Sequence, residues 1–244
     1  MKGKRNGQLT AALTGITMLL IACFALSLRT TATRAADAQP VPAPQVDEPA
    51  AHGKSEIAVF AGGCFWGIQG VFQHVRGVTQ AVSGFTGGSK ENAAYKLVST
   101  GTTGHAESVQ VTYDPRVISY GRLLQIFFSV HNPTQLDEQG PDEGTQYRSA
   151  VFPLTDEQSQ IAQQYIAQLN GSHAFDSKVV TSVEPGRTFY PAEGYHQNFL
   201  VRHPDNPYIM INDLPKIDTL RQLFPQEYQP KPVLVAVDQY SPSN

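Results

Sequence analysis

Cys64 stands in the run Gly62-Gly63-Cys64-Phe65-Trp66-Gly67, after the apolar stretch Ile57-Ala58-Val59-Phe60 and before an amphipathic helical pattern. A strand that ends in glycines and hands over to a helix leaves its next side chain at the helix N-terminus, where free N–H groups and the macrodipole favour an anion. The ordinary thiol pKa of roughly 8.5 is expected to fall toward or below neutrality there, and the thiolate is the nucleophilic form. Phe65 and Trp66, the only tryptophan of the chain, put an aromatic wall beside the sulfur. Such a wall suits a substrate that carries a small apolar group. A free cysteine is often no more than a small buried hydrophobe, but the flanking glycines and the Phe-Trp pair weigh against that here.

The groups that accompany a nucleophile decide its reaction. A hydrolase would pair the cysteine with a histidine base, for which His105, His131 and His196 are candidates. Seven histidines scattered through the chain and one cysteine in the domain offer no zinc-ligand spacing, so no metal or cofactor is expected. Two glycine-rich loops are more informative: Gly101-Thr102-Thr103-Gly104-His105-Ala106-Glu107, and Gly140-Pro141-Asp142-Glu143-Gly144-Thr145-Gln146-Tyr147-Arg148-Ser149. Each delivers an acid and polar groups to the start of a strand, where catalytic side chains are commonly held.

The elements that must position these groups follow from periodicity and punctuation. A strand ending near Gly62 leads to a helix from about Phe65 to His74, and Val78 to Phe85 is a second strand closed by Gly87-Gly88. Ala93 to Val98 forms a short helix carrying Tyr95. In Ala106 to Tyr113 the alternation sets Val109, Val111 and Tyr113 on one face, with Glu107 just inside the strand's start. Tyr120 to Val130 is a buried helix, Thr134 to Gln146 a polar loop, and Tyr147 to Phe152 a strand. Thr155-Asp156-Glu157-Gln158 is a capping-box signature opening a helix to about Leu169. Val179 to Val183 adds a strand, Gly194 to Arg202 a helical pattern, and Lys216 to Phe224 a last helix after an irregular Pro-rich stretch. Strands and helices alternate without repeats, which predicts a mixed α/β or α+β sandwich.

The chain has 244 residues, 18 basic and 21 acidic, for a net charge of −3. No Lys/Arg stripe follows Arg34, so nucleic acid is not an expected partner. The basic start Met1-Lys2-Gly3-Lys4-Arg5 and the uncharged span Leu9 to Leu28 predict export. Three fates compete for the leader: cleavage after Ala36-Asp37-Ala38, lipidation of Cys23 in Leu20-Ile21-Ala22-Cys23, or retention as a single membrane anchor. The expected organisation is a leader over 1–38, an unfolded Ala/Pro-rich linker over 39–54, a monomeric catalytic domain over 55–228 and a tail over 229–244.

Gly63-Cys64-Phe65-Trp66-Gly67, Gly104-His105-Ala106-Glu107, Tyr113-Asp114-Pro115 and Gly144-Thr145-Gln146-Tyr147-Arg148-Ser149 together resemble the peptide methionine sulfoxide reductases of the A type. The resemblance runs in order from about Ile57 to Pro207. It implies an α+β fold, a two-layer sandwich with a mixed, ferredoxin-like sheet. It also implies reduction of the S epimer of methionine sulfoxide through a sulfenic acid on Cys64. By similarity Glu107 is the general acid, Tyr95 and Tyr147 donate to the sulfoxide oxygen, Asp142 contacts substrate, and Phe65 and Trp66 cage the S-methyl group. Many members carry further cysteines near the C-terminus that resolve the sulfenic acid. Here that segment reads His203-Pro204-Asp205-Asn206-Pro207-Tyr208-Ile209-Met210-Ile211-Asn212-Asp213, without cysteine. The chain therefore resembles the one-cysteine subgroup, for which a thioredoxin-like or glutaredoxin-like protein or a small thiol would be the reductant. The alternative is a one-cysteine thiol peroxidase or oxidoreductase. Such enzymes often set Arg or Thr beside the cysteine, whereas Phe65-Trp66 suits a methyl group.

Overall fold

The computed structural model describes residues 41–49, 53 and 55–240. The predicted leader, with Cys23, lies outside them. In chain order the elements are β1 (Glu56–Gly62), α1 (Phe65–Gln73), β2 (Val78–Thr86), α2 (Tyr95–Val98), β3 (Ala106–Tyr113) and α3 (Tyr120–Val130). They are followed by β4 (Glu138–Gln139), β5 (Asp142–Glu143), β6 (Ser149–Val151), α4 (Asp156–Gly171), β7 (Ser182–Val183), β8 (Phe189–Pro191), α5 (Phe199–Arg202) and α6 (Leu214–Leu223).

Six strands form one sheet in the order β7-β6-β1-β3-β2-β8. The inner four, β6-β1-β3-β2, pair antiparallel with one another, and β7 joins the edge parallel to β6. With α1 and α3 as the crossovers this is the ferredoxin-like arrangement, in a mixed sheet. Period-two alternation sends Ala58 and Phe60 of β1 and Val109 and Val111 of β3 to the helical face, where they meet Ile68, Val71 and Phe72 of α1 and Leu123 and Phe127 of α3. Phe60 stacks between Phe72 and Phe127 at 5.2 and 5.1 Å. The opposite face is thinner: Val59, Ala61, Ala106, Ala150 and Phe152 are buried there with Ile57 and Phe189 beside them.

The capping box at α4 is half as expected. Thr155 Oγ1 accepts from the Gln158 N–H at 3.1 Å, while Gln158 Oε1 reaches back to the N–H of Leu154 rather than Thr155, at 3.0 Å. Three other expectations are corrected. The strand predicted over Val179 to Val183 is reduced to β7, and Tyr147 lies in a 3-10 turn before β6. The helical pattern from Gly194 to Arg202 is broken by Asn198 in the left-handed region, φ 57°. Asn198 stays there because its side chain is used three times, accepting from Val235 N–H and Gln73 Nε2 at 3.1 and 2.8 Å and donating to the Val235 carbonyl at 2.9 Å.

Where composition predicts an unfolded linker, residues 41–49 form a strap across α3 and α4. The carbonyls of Val41, Pro42 and Ala43 accept from Gln125, Tyr165 and Gln168 at 2.9, 2.7 and 2.8 Å. Pro42 and Pro44 have no N–H to donate, and the carbonyls of this segment are taken by side-chain donors on the helices. Asp47 accepts from the Gly121 N–H at 2.7 Å and from the Ser119 hydroxyl, at the N-terminus of α3. The segment after Tyr228 is docked as well, through Gln229 N–H to His74 carbonyl (2.8 Å) and Val233 N–H to Gln73 carbonyl (2.9 Å).

Candidate active site

Gly63, at φ +86°, turns the chain from β1 into α1. A Cβ there would lie 2.5 Å from the Cβ of Gln139, so the position needs glycine both for its φ and for its space. Cys64 follows as the residue that caps α1, and it is 7 % exposed. On β3, Glu107 shares the helical face with Val109 and Val111. Its Oε2 accepts the N–H of Phe65, the first residue of α1, at 3.0 Å. That amide is one of the donors a helix leaves unpaired at its start.

Electrostatics at this junction run opposite to the expected acidification of Cys64. Burial pushes the thiol well above its ordinary range and the charges of Glu107 and Asp213 push the same way, while the Lys216 ammonium and the Trp66 N–H oppose them. Taking a thiolate out of water costs more than the first-turn amides return. Burial likewise raises Glu107 to about 8, with Asp142 and Asp213 adding to the shift and the Phe65 N–H opposing it. At neutral pH the resting site therefore holds a thiol beside a carboxylic acid.

The predicted tyrosines converge on this pair. Tyr95 opens α2, with its N–H held by Glu193 Oε1 at 3.0 Å. Burial and the charges of Glu107 and Cys64 push its hydroxyl up to about 12. Tyr147 is raised by burial and then by Glu107, Asp142, Tyr95 and Cys64. Both remain proton donors at neutral pH. Arg148 braces the two glycine-rich loops together, donating to the Thr145 and Gly104 carbonyls at 3.0 and 3.2 Å. Thr145 Oγ1 adds a bond to the Gly101 carbonyl at 2.8 Å. Glu107 and Tyr147 are thereby fixed relative to one another.

The aromatic wall is built differently on its two sides. Phe65 is buried against Phe85 and His196, with ring centroids at 5.8 and 5.0 Å. Trp66 keeps part of its surface exposed. It stacks on Phe199 at 3.8 Å, meets Tyr208 edge-on at 6.0 Å, and donates Nε1–H to His196 Nδ1 at 3.1 Å. Asp142 accepts from the Tyr208 hydroxyl.

None of the three histidines is placed as a base for Cys64. His105 Nδ1 accepts from the Gly88 N–H (3.1 Å) and its Nε2 donates to the Ser89 carbonyl (2.9 Å), pinning that loop. His131 donates Nδ1–H to the Phe127 carbonyl (2.6 Å) and accepts from Ser149 at Nε2 (2.8 Å). His196 is the acceptor for Trp66, and burial lowers it to about 4. Among the described residues no group of three or more His, Cys, Asp or Glu side chains could hold a metal ion.

Sequence reasoning missed Tyr208, Asp213 and Lys216. Tyr208 caps a π-helical turn, Ile209–Asp213, that ends on Asp213, and Lys216 lies at the start of α6 that follows it. The i, i+3 spacing of Asp213 and Lys216 was the available signal, but it does not reveal that the pair is buried.

A thiol next to a protonated acid and hydroxyl donors can take an oxygen atom from a substrate onto sulfur, which is the work of thiol-dependent oxidoreductases. A model of the peptide methionine sulfoxide reductase family matches residues 56–228. The peptide methionine sulfoxide reductase MsrA 2 of Mesorhizobium japonicum is 62 % identical over 191 residues, covering 78 % of this chain and 97 % of the relative. The protein of the same description from Synechocystis is 53 % identical over 171 residues, 70 % of this chain and 80 % of the relative. Among solved structures, the reduced form of Mxr1 from Saccharomyces cerevisiae superposes with a TM-score of 0.58 at 32 % identity, over 65 % of this chain and 91 % of that one. Methionine sulfoxide reductase A of Corynebacterium diphtheriae gives 0.55 at 30 % identity, over 72 % and 91 %. The chain belongs to the peptide methionine sulfoxide reductase family, and its reaction is the reduction of methionine sulfoxide to methionine.

Proposed function

We propose that Cys64 and Glu107 carry this reduction as nucleophile and general acid, in a cycle that uses one cysteine and an external thiol. The supporting observation is the carboxyl of Glu107, buried, raised to about 8 and held on the first amide of α1 beside the thiol. Sulfoxide oxygen leaves poorly unless it is protonated, so a thiol that attacks the substrate sulfur needs an acid on the oxygen side. Tyr95 and Tyr147 donate to that oxygen as its charge develops. Trp66 and Phe65 receive the S-methyl group, and Asp142 with Tyr208 borders the substrate. Substrates are the S epimer of methionine sulfoxide, free or in proteins.

In the first step the substrate S–O bond breaks and an S–O bond forms on Cys64. The substrate sulfur gains the two electrons that Cys64 loses; the oxygen keeps the proton given by Glu107, and the Cys64 thiol proton passes to the Glu107 carboxylate, restoring the acid. A thioredoxin-like or glutaredoxin-like protein or a small thiol then displaces water from the sulfenic acid to give a mixed disulfide. A second thiol displaces Cys64. No other cysteine follows in the chain to do either. The leader makes this an exported, extracytoplasmic activity, tethered or released according to its processing.

With racemic methionine sulfoxide and dithiothreitol, only the S form should disappear. Cys64→Ser should abolish the reaction, and Glu107→Gln should slow it on the order of 10²-fold. A near-neutral Glu107→Gln would move the acid's role elsewhere, and full activity in Cys64→Ser would end the mechanism.

A further inference from the structure

Asp213 and Lys216 form an ion pair at 2.7 Å that the reaction as described does not use. Their side chains are 0 % and 13 % exposed. The pair is pressed onto the first turn of α1: a Cβ at Gly67 would lie 2.1 Å from Asp213 Oδ1 and 2.9 Å from Lys216 Nζ. Gly67 is three residues beyond Cys64, so its missing side chain is what lets an ammonium reach the turn that begins at the sulfur. As a structural device the pair is poor. Burying two charges costs several kcal/mol that their attraction repays only when every polar atom is satisfied, and Asp213 Oδ2 is buried with no hydrogen-bond partner. Of the charges acting most strongly on Cys64, Glu107 and Asp213 oppose ionisation, and Lys216 alone favours it.

We propose that Lys216 is a positioning residue whose ammonium, held against Gly67 by Asp213, stabilises the Cys64 sulfur whenever it carries negative charge. Those moments are two: when the thiolate attacks the substrate sulfur, and when a reductant's second thiol expels Cys64 from the mixed disulfide. In the second, the S–S bond breaks and its electron pair leaves on Cys64, and an adjacent cation makes it a better leaving group. The idea rests on Cys64 being the attacking group. The other groups that face this space are Glu107 from β3, Asp142 from β5, Tyr95 from α2, Tyr147 before β6, and Tyr208 from the turn preceding α6; His131 at the end of α3 also feels the Lys216 charge.

The test is the pH dependence of Cys64 alkylation by iodoacetamide in the full-length protein, followed by mass spectrometry of the peptide carrying Cys64 so that Cys23 does not contribute. Lys216→Met should raise the midpoint by about one pH unit or more, and Lys216→Arg should stay near the wild type. Asp213→Asn should move the midpoint the other way, because it removes a negative charge and leaves the ammonium. Opposite signs from the two partners of one ion pair are not what loss of a structural contact produces. A shift in Lys216→Met below about half a unit overturns the proposal. If Lys216→Met does not fold by circular dichroism, Asp213→Asn carries the test, and an unchanged or raised midpoint overturns it. Cys64→Ser assayed for sulfoxide reduction separates this from the nucleophile itself. Activity surviving there defeats the reading of Cys64, whereas unshifted alkylation with a dead Cys64→Ser defeats only the role of Lys216.

Discussion

At the scale of single residues, the site stores protons. Cys64 and Glu107 are both held protonated at neutral pH by burial, so in the proposed roles the nucleophile and the acid share one resting state. The cost is read in stability. Glu107 has a folded pKa of about 8 against an ordinary 4.5, so the folded state binds the proton more tightly than the unfolded one. The contribution is complete below pH 4.5 and lost as pH rises through about 8. Glu107→Gln, uncharged at every pH, should therefore be more stable than the wild type above that pH, by a few kcal/mol in urea unfolding, while showing no advantage in acid. For the wild type, kcat/KM should fall as pH rises through about 8, when the acid ionises.

Elements position the site through their ends rather than their lengths. The junction of β1 and α1 depends on Gly63, and Gly63→Ala would meet both its positive φ and Gln139. Gln139 grips the Asn132 backbone at 3.0 and 2.9 Å, so pushing it aside also loosens the end of α3. A loss of ~2 kcal/mol in the unfolding free energy from urea denaturation is expected, with a drop in kcat/KM at temperatures where the variant is still folded. This junction was legible in the sequence, because glycines, a cysteine and an aromatic pair interrupt a strand pattern just as a helical one begins. Elements with strong periodicity, β3 from Ala106 to Tyr113 and α3 from Tyr120 to Val130, were legible to the residue. The stretch from Gly194 to Asp213 was not, since its conformation is set by partners distant in sequence. Gln197 bonds the Ser83 carbonyl at 2.9 Å, and Asn198 bonds Val235.

Over the whole molecule, the strap formed by residues 41–49 ties the N-terminal side of the domain to α3 and α4, on carbonyls that a Pro-rich composition alone does not assign to any partner. Its far end is pH-sensitive. The single hydroxyl hydrogen of Tyr113 faces both Glu48 and Glu56, at 2.6 and 3.1 Å. Burial and the Glu56 charge raise Glu48 to about 7, with the Tyr113 bond opposing. Docking is thus favoured fully below pH 4.5 and weakened as pH rises through about 7. Amide protection factors over residues 45–48 should fall between about pH 5.5 and about pH 8.5, and Glu48→Gln should remove that dependence. Protection independent of pH in the wild type would show that the strap is held by its other contacts, the carbonyls and Asp47, without Glu48.

The sequence by itself determined the candidate groups: a cysteine at a strand-to-helix junction, an acid at the mouth of a strand and an aromatic pair beside the cysteine, with the tyrosines singled out through the family resemblance. The first three are local choices, written in residue type and spacing. Only the tertiary structure decided the proton state of the site and the company it keeps. Burial, not the helix terminus, sets the Cys64 thiol. Tyr208, Asp213 and Lys216 reach it from more than a hundred residues away in the chain, and residues 41–49 of the supposed linker are bonded to the helices of the domain. Desolvation and long-range charge depend on what packs around a group, and that is a property of the folded chain, not of its neighbours in sequence.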